Sequence, residues 1–119
     1  MSEQRLTNLS YLEELGMGDD DLLIEMVEMF LENTPVSIDQ MRNHCDASNW
    51  KKLAAEAHKL KPNLSYVGLD NARDLVVDIE KTAKNDPDPS VLHDRLDRLN
   101  GICREAYKEL EQQLEELKK

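Results

Sequence analysis

Hydrophobic residues recur every three or four positions along most of the chain, which is the spacing of amphipathic helices. The first helix predicted from this pattern begins at Asn8 or Ser10 and continues through Leu15, before two closely spaced glycines. Three acidic residues at 19–21 then favour the start of a second helix, because they complement its positive amino-terminal end. The apolar period continues to about Cys45. The first third of the chain therefore predicts one short helix and one long helix.

A third helix is predicted to begin after a cap at Asp46 or Ser48 and to end near Val67, where Gly68 supplies the stop. Its apolar positions fall within one arc of the helical surface. This arc predicts a single buried face, whose members are Trp50, Leu53, Ala54, Ala57, Leu60, Leu64 and Val67.

Prolines interrupt the second and third predicted helices, at Pro35 and Pro62. A proline inside a helix lacks the N–H donor and crowds the carbonyl group four residues earlier. For Pro62, that carbonyl belongs to His58. We therefore expect both helices to bend at their prolines.

The second half of the chain predicts two further helices with a loop between them. Asp70 opens the first of these, and the sequence NDPDPS at 85–90 is the clearest loop in the chain. Asp88 followed by Pro89 is typical of a cap and a first helical residue, so the last helix is predicted from about 89 to 117. The predicted inner face of the fourth helix comprises Ala72, Leu75, Val76, Ile79 and Ala83.

The carboxyl-terminal half of the last helix is long enough to overhang a compact bundle. Two explanations remain open for Leu110, Leu114 and Leu117 in this half. They could cover the bundle core against the first helix, or they could form a seam for self-association, although two heptads are short for a coiled coil. We expect a monomer.

Four amphipathic helices with short connections predict an all-α protein, an antiparallel up-down four-helix bundle with a short additional N-terminal helix as a lid. The length of 119 residues fits a single domain over 1–119, large enough to bury one core. Such a fold does not by itself specify a function.

Composition excludes several classes of function. The formal net charge is −10 and the pI is near 4.7, so no basic stripe is available to bind nucleic acid. The amino terminus lacks the apolar core of a signal peptide, and no run is apolar enough for membrane insertion, which predicts a cytoplasmic protein. Cys45 and Cys103 lack the spacing of a metal site and are expected to be free thiols. We expect neither a metal nor a cofactor in this chain.

His58 is the best candidate for chemistry. It lies about 100° from Ala57 around the helix, at the rim of the predicted buried face, and Lys61 follows one turn later. Imidazole is partly neutral, and hence nucleophilic, near pH 7, and an adjacent cation would attract an incoming phosphoryl group. The same spacing also fits an ordinary boundary histidine, which is how we interpret His44 and His93.

The segment AHKLKPNLSYVGL at 57–69 resembles the central motif of histidine-containing phosphotransfer (HPt) domains, roughly A-H-x-L-K-G-S-x-x-x-x-G. The residues that stand in matching places are Ala57, His58, Leu60, Lys61 and Gly68. The similarity extends to the helices on both sides and covers most of residues 9 to 118. The family usually has a glycine after the lysine, where this chain has Pro62.

This resemblance implies a phosphorelay intermediate. His58 would accept a phosphoryl group from the aspartyl phosphate of one response-regulator receiver domain, such as that of a hybrid sensor kinase, and pass it to the aspartate of another. Lys61 would stabilise the phosphoryl charge, whereas Lys59, which points away from the core, would contact the acidic surface of the receiver. The receiver would bring the Mg²⁺ ion. The chain would be a phosphocarrier without kinase activity of its own.

Three alternative functions remain open from the residues. The chain could be an acidic helical adaptor in which His58 has no chemistry, or a metal-binding bundle that uses His58 with Cys45 or Glu56. It could also keep the family fold and occupy a receiver without accepting its phosphoryl group.

Some Met and Leu positions of the first two helices exceed what a single core stripe needs. Met side chains suit surfaces that bind several partners. These positions predict either a docking surface or side chains that the first helix buries, and they are Leu12, Met17, Leu22, Met26 and Met29.

Overall fold

A computed structural model describes residues 6–119 of the chain. Within that range it contains five helices: α1 (Ser10–Leu15), α2 (Asp20–Asp46), α3 (Trp50–Tyr66), α4 (Asp70–Asn85) and α5 (Pro89–Lys118). The described residues include no strand, so the predicted all-α class is confirmed.

The four long helices surround one hydrophobic core. α2 packs on α3 and α5, and α4 packs on the same two helices, which closes a ring of four. α2 and α5 run in opposite directions, because Arg42 pairs with Asp97 at 3.0 Å near one end and Glu28 pairs with Lys118 at 3.0 Å near the other. α1 is short and contacts α2.

The predicted cap of α5 is confirmed, and α2 begins, as predicted, among its three acidic residues. The carboxylates of Asp19 and Asp88 accept hydrogen bonds from backbone N–H groups two and three residues later, and Pro89 is the first residue of α5. Each bond satisfies a donor that has no partner inside the helix. Local sequence alone is sufficient to fix these two helix starts.

The predicted cap of α3 is wrong. Asp46 is the last residue of α2, and Ser48 has a left-handed backbone with a φ of 56°. A left-handed residue just after a helix ends that helix and redirects the chain, so Ser48 terminates α2 and does not start α3. The residue before α3 is Asn49, whose side chain makes no capping hydrogen bond.

The predicted inner faces agree closely with the buried residues. Every member of the α3 face is buried except Trp50, which is half-buried, and Leu75 is the half-buried member of the α4 face. Both proline-containing helices continue past the proline, α2 beyond Pro35 and α3 beyond Pro62 to Tyr66. The bends expected at these prolines stay predictions.

The carboxyl-terminal half of α5 packs within this chain. Leu110 and Leu114 are buried and Leu117 packs against the core, which agrees with the first of the two explanations for these leucines. Across residues 6–119, none of the helices, α5 included, combines the length and apolarity needed to cross a membrane.

The segment before α1 forms hydrogen bonds with α5 and with the end of α3. The carboxylate of Glu109 on α5 accepts hydrogen bonds from the backbone N–H groups of Leu6 and Thr7. The N–H of Asn8 then donates to the carbonyl of Val67, at the end of α3, over 2.8 Å. These bonds hold the segment that leads into α1 against α5 and the carboxyl-terminal end of α3.

Gly68 is required where this segment crosses the turn between α3 and α4. Its φ is 72°, and a Cβ atom there would lie 2.7 Å from the backbone N and O of Asn8. We expect Gly68→Ala to lower the free energy of unfolding by roughly 2 kcal/mol or more, through left-handed strain and the clash with Asn8. Urea unfolding, monitored by circular dichroism, measures this change in the free energy of unfolding.

Gly101, inside α5, is the matched control. A Cβ atom at Gly101 meets nothing within 4 Å, so Gly101→Ala should raise the free energy of unfolding by about 0.5–1 kcal/mol. If Gly68→Ala and Gly101→Ala changed the free energy of unfolding equally, the close approach of Asn8 to Gly68 would be contradicted.

Candidate functional site

His58 lies on the outer side of α3, next to α4. Its neighbours Ala57 and Leu60 are buried in the core and so fix the rotation of α3 about its axis. The side chain of His58 is left 68% exposed. This is the rim position that the helical spacing predicts, and it leaves the imidazole accessible to a partner molecule.

Glu80 of α4 contacts the imidazole from the protein side. Its Oε2 atom lies 3.1 Å from Nδ1 of His58, and its side chain is only 8% exposed. The fully buried residues Val76 and Ile79 anchor this part of α4 against the core. A carboxylate in such a position is costly unless charged or hydrogen-bonding partners surround it.

Two lysines supply those partners. Nζ of Lys61 lies 2.7 Å from Oε1 of Glu80, and Nζ of Lys84 lies 3.0 Å from Oε2. Burial raises the pKa of Glu80, but the hydrogen bonds and charges of Lys61 and Lys84 together lower it by more. The pKa of Glu80 falls from 4.5 to about 2. The carboxylate is therefore ionised at neutral pH.

The ionised carboxylate decides which ring nitrogen of His58 carries hydrogen. A carboxylate can only accept hydrogen bonds, so Nδ1 must be the donor in its contact with Glu80. In the neutral ring, the lone pair then remains on Nε2. No described residue forms a hydrogen bond with Nε2. The arrangement presents an exposed, oriented nucleophile.

An open groove between α3 and α4 adjoins the ring. Its lining includes the small residues Ala54, Ala55 and Ala83 and the half-buried Trp50. The remaining lining residues are charged or polar: Lys51, His58, Lys59, Glu80 and Lys84. The groove gives an anionic group access to His58 without a steric barrier.

A sequence model of the Hpt domain family matches residues 25–119. This region covers most of the chain and includes α3, α4 and α5 in full. The chain belongs to the Hpt domain family. Hpt domains are helical phosphocarrier modules of two-component systems that interact with receiver domains, and they are not kinases. No curated protein and no solved structure matches the chain.

In this Hpt domain, the three residues proposed from the sequence have different surroundings. His58 and Lys61 meet at the carboxylate of Glu80. Lys59 lines the groove beside His58, but its Nζ lies 3.5 Å from Glu56 on the same helix. Lys59 is strongly exposed, so it is available to a partner but is not part of the Glu80 cluster.

Glu80 and Lys84 were not among the residues proposed from the sequence. A signal for Glu80 was present, because it lies beside Ile79 and four residues after Val76, within the arc that faces the core. A charged residue in an otherwise apolar arc indicates a buried ion pair. Lys84 carried no comparable signal, since a lysine in the last turn of a helix is common.

The other candidate groups lie away from this site. Cys45 and Cys103 are free and buried, as predicted, and burial is the main cause that raises the pKa of Cys103 to about 12. His93 contacts Asp46 at 3.4 Å and is only partly exposed. Within residues 6–119, no group of His, Cys, Asp and Glu side chains could hold a metal ion.

A second, apolar groove lies between α1, α2 and α3. It encloses a cavity of about 200 Å³ lined by Leu12, Met26, Met29, Phe30, Asn33, Asn63, Tyr66 and Val67. Leu12 is 1% exposed and belongs to the core, which agrees with the second of the two explanations for these positions, a buried side chain. Met17, Leu22 and Met29 are exposed, and Tyr11 stacks on Tyr66 with ring centroids 5.8 Å apart.

The lowered pKa of Glu80 predicts a pH-dependent contribution to stability. Because the folded-state pKa of about 2 lies below the ordinary 4.5, the carboxylate stabilises the fold above pH 4.5, and this contribution is lost as the pH falls toward 2. Glu80→Gln should therefore be less stable than the natural chain by on the order of 1–2 kcal/mol at pH 7. The difference should shrink as the pH falls from 4.5, as measured by urea unfolding.

Glu105→Gln controls for the loss of one negative charge, because Glu105 is exposed and pairs only with Lys108 of its own helix among the described residues. Its effect on stability should be small throughout. A difference for Glu80→Gln that stays constant between pH 7 and pH 3 would contradict the charge arrangement described for Glu80.

Proposed function

We propose that this Hpt domain is a phosphorelay intermediate, in which His58 accepts a phosphoryl group from the aspartate of one receiver domain and passes it to another. The observation that carries the proposal is the contact of Nδ1 of His58 with the buried carboxylate of Glu80, which in the neutral ring places the lone pair on the exposed Nε2. A donor receiver within a hybrid sensor kinase and an acceptor response regulator, both in the cytoplasm, fit this function.

The proposed forward step needs no proton transfer. The lone pair of Nε2 attacks phosphorus in the aspartyl phosphate of the receiver. The N–P bond forms while the P–O bond to the aspartyl group breaks, and the electron pair of that bond stays on the aspartate. Nδ1 keeps its hydrogen, so the ring becomes cationic and remains bonded to Glu80. The reverse sequence transfers the group to the next receiver.

The chain's own contribution is mostly positioning and charge, as in phosphoryl transfer generally. Lys61 would stabilise the phosphoryl charge from its place beside Glu80. Six of the nine lysines lie between positions 51 and 84, although the chain as a whole has a net charge of −10. This local excess suits the acidic phosphorylation pocket expected of a receiver, which would also bring Mg²⁺.

We propose the apolar groove between α1, α2 and α3 as the docking surface for receivers. Asn63 and Tyr66 of its lining lie on the same helix as His58, about 8 and 12 Å further along the axis. The exposed Met17 and Met29 lie on α2 or just before it, and flexible Met side chains adapt to different partners. A receiver seated on this groove would overlap the exposed side of α3.

Replacement of His58 tests the proposed function most simply. After incubation with a phosphorylated receiver, label should move to the natural chain and should be acid-labile and base-stable, as a phosphoramidate is. His58→Gln should abolish the transfer. It should also change the free energy of unfolding by only about 0.5 kcal/mol, because the side chain is mostly exposed.

His44→Gln and His93→Gln are the matched controls and should retain the label. Label that persists in His58→Gln would refute His58 as the acceptor. If His58→Gln bound receivers normally and the natural chain accepted no label, the adaptor function considered from the sequence would be favoured.

Lys61 and Lys59 should affect different steps. Lys61→Ala should slow transfer by about tenfold while barely changing the Kd for an unphosphorylated receiver, because Lys61 is paired with Glu80 and acts on the phosphoryl charge only once that group is present. Lys59→Ala should instead weaken binding in a salt-dependent way, because its exposed ammonium lies outside the Glu80 cluster.

Single-turnover transfer kinetics and titration calorimetry at two salt concentrations separate these effects. Equal effects of the two substitutions on rate and affinity would show that the two roles are wrongly divided.

A further inference from the structure

Lys84 is a second cation beside His58 that the sequence motif does not include. Its Nζ atom and Nδ1 of His58 contact the same oxygen, Oε2 of Glu80, at 3.0 and 3.1 Å. Since each nitrogen lies about 3 Å from one shared atom, the two nitrogens are at most about 6 Å apart. A phosphoryl group bonded to the same ring would lie within reach of this flexible side chain.

Lys84 and Lys61 hold Glu80 in different ways. Lys61 makes the shorter contact, 2.7 Å to Oε1, and its side chain is 27% exposed. Lys84 is 59% exposed and lines the open groove together with His58, whereas Lys61 does not line it. Of the two lysines, Lys84 is therefore the more exposed and the one that faces the space next to the ring.

The cluster has one positive charge more than Glu80 needs. One carboxylate is paired with two ammonium groups, so Lys61 alone can keep Glu80 paired. An ion pair as exposed as that of Lys84 contributes little stability, and its release costs correspondingly little. A phosphoryl group would add roughly −1.5 to −2 charges beside it.

We infer that Lys84 leaves Glu80 and contacts the phosphoryl group directly once His58 is phosphorylated, while Lys61 stays paired with Glu80 and stabilises the phosphoryl charge from that position. Lys84 is then a phosphoryl-binding residue of the protein phosphorylated at His58. Glu80 stays ionised because Lys61 remains paired with it. It therefore keeps its contact with Nδ1 of His58 throughout. This inference rests on phosphorylation of His58 in the proposed function.

The experiment avoids receivers, so that it tests Lys84 separately from phosphorelay. In a chain with His44→Gln and His93→Gln, His58 is loaded with phosphoramidate, a small donor that transfers its phosphoryl group to the ring nitrogen and releases ammonia. Phosphorus NMR then follows the second ionisation of the phosphoryl group as a function of pH. A bound ammonium group favours the dianion and lowers the midpoint of this titration.

Lys84→Gln should raise the midpoint by about half a pH unit, an approximately threefold change in the ionisation constant, as expected for loss of one solvated contact charge. Lys84→Arg should restore the midpoint to near that of the natural residue. Lys81→Gln is the matched control, since Lys81 is an exposed lysine one turn earlier on α4 that does not line the groove. It should leave the midpoint unchanged.

The outcomes distinguish the two proposals. If His58 loads and Lys84→Gln shifts the midpoint no more than Lys81→Gln does, the contact between Lys84 and the phosphoryl group is refuted, whatever receivers do. If His58 fails to load at all, both this inference and the proposed function are overturned. A shift with Lys84→Gln that Lys84→Arg reverses supports the inference.

Discussion

The carboxylate of Glu80 is the constraint on which the functional site depends. It lies between α3 and α4, largely out of contact with water, and it is bonded at once to His58, Lys61 and Lys84. Replacing such a buried ion pair by apolar residues often leaves stability unchanged or improved. What Glu80 contributes is the orientation of His58 and two nearby positive charges.

The rest of the fold serves to hold that carboxylate in place. The packing of α3 on α4 brings residues 58 and 80 together although 22 positions separate them in sequence. Fully buried side chains on each side, such as Leu60 and Ile79, restrict the rotation of both helices. Sites built on packed helices keep their geometry better than sites built on loops. The segment before α1 bonds to the end of α3, and α1 then contributes Leu12 to the lining of the apolar groove.

Much of the fold could be predicted because its signals are local. Helical periodicity located all five helices, and Asp19, Asp88 and Gly68 marked ends through hydrogen bonding or backbone conformation within a few residues. The start of α3 could not be located in the same way. There, a left-handed Ser48 overrode its preference for a cap position, and a conformation of this kind depends on how two helices pack.

Only part of the functional site could be predicted from the sequence, for a related reason. His58 and Lys61 lie one turn apart on one helix, so sequence spacing places them together. Their common partner belongs to another helix, and the alignment of α3 with α4 is set by the whole core. Leu12 illustrates the same limit, since its periodicity fitted both a docking surface and a buried side chain. It is buried in a part of the chain that the segment at 6–8 joins to the distant end of α3.

The central claim is that Glu80 holds the hydrogen of His58 on Nδ1 and leaves Nε2 as the nucleophile. ¹⁵N NMR of the imidazole ring, recorded above the pH at which the ring loses its second proton, tests this most directly. The account predicts a pyrrole-type signal for Nδ1 and a pyridine-type signal for Nε2, with the two averaging toward each other in Glu80→Ala. The reverse assignment in the natural chain, with hydrogen on Nε2, would contradict it.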